Sequence, residues 1–169
     1  MSTLVYNAND IFEIAKRIER NGAAFYRAAA DIMADAQSCD LMNNLAEMEV
    51  QHEAVFASMQ QGLSGTETEE TLYDPHDEAY AFLKGMADKY VFNPNEARDR
   101  VVRPGAGPFD ILNEALLRES DSVVFYEAIK IMVPEKYGRG RVDEIIQQEM
   151  GHIMLLNKDI ERLNAKKGE

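Results

Sequence analysis

The sequence predicts an all-α protein: a four-helix bundle of two helical hairpins, joined by a long crossover that carries a short extra helix. Three observations lead there. Apolar residues recur three and four positions apart through four long stretches, the turns inside each hairpin are short, and the second half of the chain repeats the first at an offset of 100 residues.

The first helix is expected from Asp10 to about Ala36, where Ile11, Ile14, Ala15, Ile18, Gly22, Phe25, Ala29 and Ile32 form one apolar stripe, with Asn9 or Asp10 as its cap. A short turn follows, with Ser38 as candidate N-cap, and the helical period continues to about Gln60. Residues 62–75, rich in Gly, Thr and Glu, read as an exposed loop, and residues 76–92 as a further helix closed by "NPNE". A second loop runs to Pro108, well placed to open a helix that continues to about Met132. "VPEKYGRG" makes a turn, residues 141–165 form the last long helix, and "KKGE" is a tail.

A chain of 169 residues with 46% hydrophobic content, 5 Pro and 10 Gly fits one globular domain, residues 1–169. The mean hydropathy of -0.37, with frequent interruption by charge, argues against a membrane span. The start of the chain lacks the basic and apolar regions of a secretory signal, so a cytoplasmic location is expected. A net charge of -12 repels nucleic acid and anionic lipid, and neither is an expected partner. Cys39 stands alone, which rules out a disulfide framework or a Cys-ligated zinc or iron–sulfur site within one chain; it reads as a small apolar residue near a turn.

The repeat places Asp10, Ile11, Ala15, Glu19, Phe25, Tyr26, Ala28, Glu49 and His52 on identical residues 100 positions later, with no gap. Both Glu-x-x-His sequences of the chain, Glu49 with His52 and Glu149 with His152, are among them. Residues three apart share one helix face within about 5–6 Å, so each pair can grip one ion. In the preceding helix Glu19 lies roughly 25 Å from the first turn and Glu49 roughly 18 Å beyond it, close enough in height to meet, and Glu119 and Glu149 repeat the relation. Glu19, Gly22 and Tyr26 fall on one face, which turns Glu19 inward. Four inward carboxylates are costly unless cations neutralise them, and two divalent ions offset four negative charges. One oxygen and one imidazole per pair suit iron or manganese, with zinc as a competitor, and disfavour calcium.

A Glu on helix 1, Glu-x-x-His on helix 2, a Glu on helix 3 and Glu-x-x-His on helix 4 resembles the ferritin-like dimetal carboxylate proteins. Within that superfamily the chain is most similar to the rubrerythrin group, through "IERNGAAFYRAAA" before "EMEVQHEAVF" and the repeated "FY" after Glu19 and Glu119. The likeness covers about residues 10–165 apart from the crossover. It implies a ferritin-like fold with two iron ions (or manganese or zinc) held by Glu19, Glu49, His52, Glu119, Glu149 and His152, and Glu49 and Glu149 as bridging carboxylates. By the same likeness these ligands carry the catalysis in a homodimeric oxidoreductase that reduces peroxide or dioxygen. Rubrerythrin itself has a Cys-ligated iron domain, which this chain cannot make, so electrons come from an external donor. Ser122 stands where rubrerythrin has a further glutamate, and the remaining four Glu and two His are closer to the bacterioferritin set. Iron oxidation for storage or transfer is therefore an alternative, and a metal-free helical interaction module is a third.

Tyr26 and Tyr126 are candidates to hydrogen-bond a ligand glutamate of the opposite hairpin and to relay an electron; an aromatic core position is the competing reading. Phe25 and Phe125 read as core. His76 reads as a surface residue, "TETEE" (66–70) as a solvated loop rather than a route for iron into the bundle, and the methionines, including Met48, Met150 and Met154, as core filling.

Overall fold

The computed structural model describes residues 5–31, 33, 35–71, 78–91 and 106–167. Among them are five α-helices and no strand: α1 (Ala8–Ala30), α2 (Ala36–Gln61), α3 (Glu78–Tyr90), α4 (Pro108–Lys130) and α5 (Arg139–Lys167). The hairpins α1/α2 and α4/α5 are the two main packing units; α1 also meets α5, α2 meets α4, and the crossover helix α3 lies against α1 and α4.

Several helix ends differ from the sequence expectation by a few residues. Asn7, not Asn9 or Asp10, caps α1: its Oδ1 accepts from the Asp10 amide at 2.8 Å, and Asp10 returns the bond to the Asn7 amide at 3.1 Å. This reciprocal pair satisfies two amides that the first turn would leave unbonded. Asp35, not Ser38, caps α2, and the Ser38 amide is its donor at 2.8 Å. Pro108 opens α4 as expected. The last helix begins at Arg139 and continues to Lys167, so it includes Lys166 and Lys167 of the expected tail.

The core is one cluster of buried apolar residues that includes Ile11, Ile14, Ile18, Phe25, Met42, Phe56, Leu83, Leu112, Phe125, Ile145 and Leu156. Leu83 and Ala87 of α3 belong to it, so the crossover helix helps to close the bundle. Phe25 and Phe125 are buried as expected, and each meets its neighbouring tyrosine edge to face. The methionines divide: Met42 is core and Met48 packs at its margin, whereas Met150 and Met154 are 48% and 67% exposed, contrary to the core-filling expectation. Cys39 lies within α2, against the core.

Two contacts fix the level at which the elements meet. Gly138, in the turn before α5, has φ 92, and a Cβ there would lie 2.7 Å from Cβ of Ala8; only glycine fits both the left-handed backbone and the approach of α1. Asp88 on α3 accepts from Arg17 Nε and Nη2, both at 2.7 Å, and from Asn21 Nδ2 at 2.9 Å. Arg17 and Asn21 straddle Glu19, so this brace fixes the stretch of α1 that carries Glu19. Because the ion pair is partly exposed, Asp88→Ala is expected to cost about 1 kcal/mol, which lowers the melting temperature by roughly 2–4 °C. Thermal unfolding followed by circular dichroism checks this.

The 66–70 stretch is less free than a solvated loop. It includes part of a short 3-10 turn (Gly65–Glu67), Thr66 Oγ1 donates to the Lys136 carbonyl, and Glu67 pairs with Arg141 at 2.8 Å. Glu69 and Glu70 are exposed. His76 and "NPNE" lie outside the described residues.

Candidate metal centre

Each hairpin presents one carboxylate from its first helix and a Glu-x-x-His pair from its second. Glu19, Glu49 and His52 form one group, Glu119, Glu149 and His152 the other, and within each group the candidate ligand atoms all lie within 4.8 Å of one another. His52 Nδ1 stands 3.4 Å from Glu19 Oε2 and 3.5 Å from Glu49 Oε2. His152 Nδ1 stands 3.4 Å from Glu119 Oε2 and 3.1 Å from Glu149 Oε2. In both groups the same ring nitrogen faces the two carboxylates, as the internal repeat requires.

The two groups adjoin. The His52 and His152 rings stack with centroids 3.3 Å apart and planes 4° from parallel, so the imidazoles of α2 and α5 meet between the hairpins. All six residues singled out in the sequence thus converge on one place in the core.

Their environment is hostile to charge. The four glutamates are at most 2% exposed and His152 is 5% exposed; His52 is half-buried. Glu19 Oε2, Glu49 Oε1, Glu119 Oε1, Glu149 Oε1 and His52 Nδ1 have no hydrogen-bond partner among the described residues. An orphaned buried carboxylate oxygen costs free energy, and five orphaned atoms around one spot form the kind of donor set a cation would satisfy. The donors fit hard-to-borderline divalent ions such as ferrous iron, manganese or zinc, and both groups could hold one.

Without a metal, protons must supply the missing positive charge. Burial, followed by the charges of Glu149 and Glu49, pushes the Glu19 carboxyl well above its ordinary range. Burial likewise raises Glu149 well above that range and raises Glu49, the latter helped by the charge of Glu119. Burial draws His152 down, but hydrogen bonds and charges from Glu119 and Glu149 outweigh it and push its pKa up to about 10.

The tyrosines flank this cluster. Tyr26 is buried, and its ionisation is opposed first by burial, then by the charges of Glu49 and of Glu119 in the other hairpin. Tyr126 is opposed by burial and by all four glutamates. The expectation that Tyr126 hydrogen-bonds a glutamate is not met: its hydroxyl has no partner among the described residues. Removing an unbonded buried hydroxyl relieves a desolvation cost, so Tyr126→Phe is expected to raise metal-free stability by about 1 kcal/mol. The same variant should still bind two ions, which metal analysis after loading checks. Ser122, one turn beyond Glu119, is buried.

The sequence reading missed Arg118. This side chain pairs with Glu114 at 2.8 Å, donates to the Val91 carbonyl at 3.2 Å and lies 5.8 Å above the Phe25 ring. Its charge also favours ionisation of Tyr26, against the effect of Glu114. Only its position next to Glu119 hinted at a role, because its partners on α1 and at the end of α3 are distant in sequence.

No helix among the described residues is long and apolar enough to cross a membrane. No known protein family, curated protein or solved structure matches the chain.

Proposed function

We propose that the protein is a ferritin-like diiron oxidoreductase of rubrerythrin type, which reduces peroxide or dioxygen with electrons from an external donor. One observation carries this reading: two equivalent groups of two carboxylates and one imidazole meet inside the bundle, and one oxygen of each glutamate has no hydrogen-bond partner among the described residues. Glu19, Glu49 and His52 would hold one ion, and Glu119, Glu149 and His152 the other. A bound ferrous pair would supply the two electrons that, with two protons, convert hydrogen peroxide to two waters, and an external donor would replace those electrons. The chain contributes a dry, preorganised set of ligands whose carboxylates favour the higher charge state. Phe25, Phe56 and Phe125 help to keep water out of the surrounding core. In a homodimer this machinery is complete within each chain.

Mixing peroxide with anaerobically iron-loaded protein tests the reading. Oxidation of two ferrous ions per peroxide is expected; no oxidation, or fewer than one transition ion bound per chain, would refute it. Ser122, which leaves four Glu and two His, favours a second reading, iron oxidation for storage or transfer. A hollow assembly of many chains with continuing ferric deposition identifies that case, and a small oligomer that turns over peroxide identifies the first.

A further inference from the structure

Apart from the ligand cluster, a cleft of about 550 Å³ opens toward one end of the bundle, between the first turns of α2 and α4 and the last turns of α5. Its volume lies inside the range of about 300–1,000 Å³ typical of sites for small organic molecules. Leu41, Leu112 and Leu163, one from each helix, line it. Leu41 precedes buried Leu45 by one turn, Leu112 precedes buried Ala115, and Leu163 follows buried Leu156 by two turns. The apolar wall of the cleft is thus the end of the core's own stripes.

The polar side chains of the lining are rich in acceptors. Asp40 and Asp159 bring carboxylates from opposite helices, and Gln37 and Asn44 bring amide oxygens together with N–H donors. The lining's cation, Arg162, is engaged, with Nη1 2.9 Å from Asp159 Oδ1. Such a rim repels phosphate and carboxylate ligands; it suits a neutral molecule that donates hydrogen bonds and has an apolar ring to lay against the leucines. Asn44 lies five residues before Glu49, and Leu112 seven before Glu119, about 7.5 and 10.5 Å along the helix axes. A ring in the cleft therefore sits one to two turns from the candidate metal ligands, a span that electrons cross without an intermediate carrier.

We propose that this cleft binds the external reductant, and that the reductant is a small dihydric phenol, a hydroquinone or a catechol. The assignment rests on the diiron reading for the electron acceptor and on the cleft alone for the ligand chemistry. In the reduced ligand two O–H groups donate to the Asp40 and Asp159 carboxylates while the ring lies against the three leucines. Oxidation removes two electrons and two protons and turns both C–O single bonds into C=O. The quinone then presents only acceptors to the two carboxylates, so the groups that held the reduced ligand expel the oxidised one. The two electrons pass to the ferric pair, and the two protons pass through Asp40 and Asp159 to water. With the peroxide step the sum is hydroquinone plus hydrogen peroxide giving quinone plus two waters.

Nuclear magnetic resonance of the chelated full chain, titrated anaerobically with tetramethylhydroquinone, tests the ligand without iron; the fully substituted ring leaves no position for Cys39 to add to. The expected result is saturable shifts at the side-chain amides of Gln37 and Asn44 and the methyls of Leu41, Leu112 and Leu163. Binding should be at least tenfold tighter than that of the corresponding quinone. Asp40→Asn replaces a charged acceptor and should weaken the hydroquinone roughly tenfold, with little change for the quinone. Asn44→Trp, at an exposed site, puts an indole into the cleft and should abolish binding at unchanged helicity. Ser58→Trp, exposed on the same helix outside the cleft, should not. In the iron-loaded protein one tetramethylhydroquinone should reduce one ferric pair, and Asn44→Trp should slow that step at least tenfold while reduction by dithionite keeps its rate. No saturable binding, shifts confined to other surfaces, equal affinity for the two oxidation states, or equal reduction rates in wild type and Asn44→Trp overturns the assignment. Saturable binding in the cleft without iron uptake would refute the diiron reading and leave the ligand site standing.

Discussion

Ferrous iron added without oxygen to the chelated protein is expected to raise its melting temperature by roughly 10–20 °C. A ligand bound only by the folded state at 100 times its dissociation constant contributes about 2.7 kcal/mol per site, and a chain of this size gains about 2–4 °C per kcal/mol. Two sites give the range stated. The reason lies in the five unpartnered atoms of the cluster, which are a standing cost in the metal-free fold. Glu49→Ala with His52→Ala removes one ligand pair completely and should abolish at least half of the iron-induced gain. The same variant should leave the chelated protein as stable as the wild type, or more so, because it deletes a buried carboxylate that burial already disfavours. Differential scanning calorimetry of both proteins, with and without iron, checks both halves. If the cluster were structural, the variant would lose stability in the chelated state and iron would change neither protein.

The metal-free and iron-loaded proteins are expected to respond to pH in opposite directions. Glu19, Glu49 and Glu149 have raised folded-state values, so the folded chain binds more protons than the unfolded one. Their stabilising contribution is fully present below the unfolded carboxyl range and is lost as pH rises through the folded values. His152, pushed up to about 10, has the same sign: its contribution is complete below its ordinary 6.5 and disappears as pH rises through 10. For His152 alone this is on the order of 4 kcal/mol between pH 6 and 10. Metal-free stability therefore falls as pH climbs from about 5 to 9. Metal binding requires the ligands to release those protons, so affinity rises with pH over the same interval. The iron-induced shift in melting temperature should be small near pH 5 and largest near pH 8. A pH-independent shift would mean that the ion binds elsewhere.

Much of the bundle was legible in the sequence because its signals are local or periodic. The apolar stripe of α1, Pro108 at the head of α4 and the 100-residue repeat each needed only spacing along the chain. The six candidate ligands were legible for the same reason, since the repeat places Glu49 and His52 on Glu149 and His152 and the helix period turns Glu19 and Glu119 inward. The helix caps shifted because Asn7 and Asp35 compete with nearby Asn, Asp and Ser residues that can all accept from an amide, and tertiary contact decides among them. For Asn7 that contact is the bond from its Nδ2 to the Glu69 carbonyl at 2.7 Å. The brace from Arg17 and Asn21 to Asp88, and the contacts of Arg118, join residues whose proximity depends on how α3 packs, which no short pattern encodes. Met150 and Met154 were misassigned to the core because proximity to His152 in sequence does not specify helix face; both project from the side of α5 away from the cluster.

Anomalous diffraction at the iron edge from crystals of the iron-loaded protein tests the central claim most directly. Two peaks inside the bundle are predicted, one bounded by Glu19, Glu49 and His52 and the other by Glu119, Glu149 and His152. Peaks only at surface carboxylates such as Glu69 and Glu70, or none among the six residues, would contradict it.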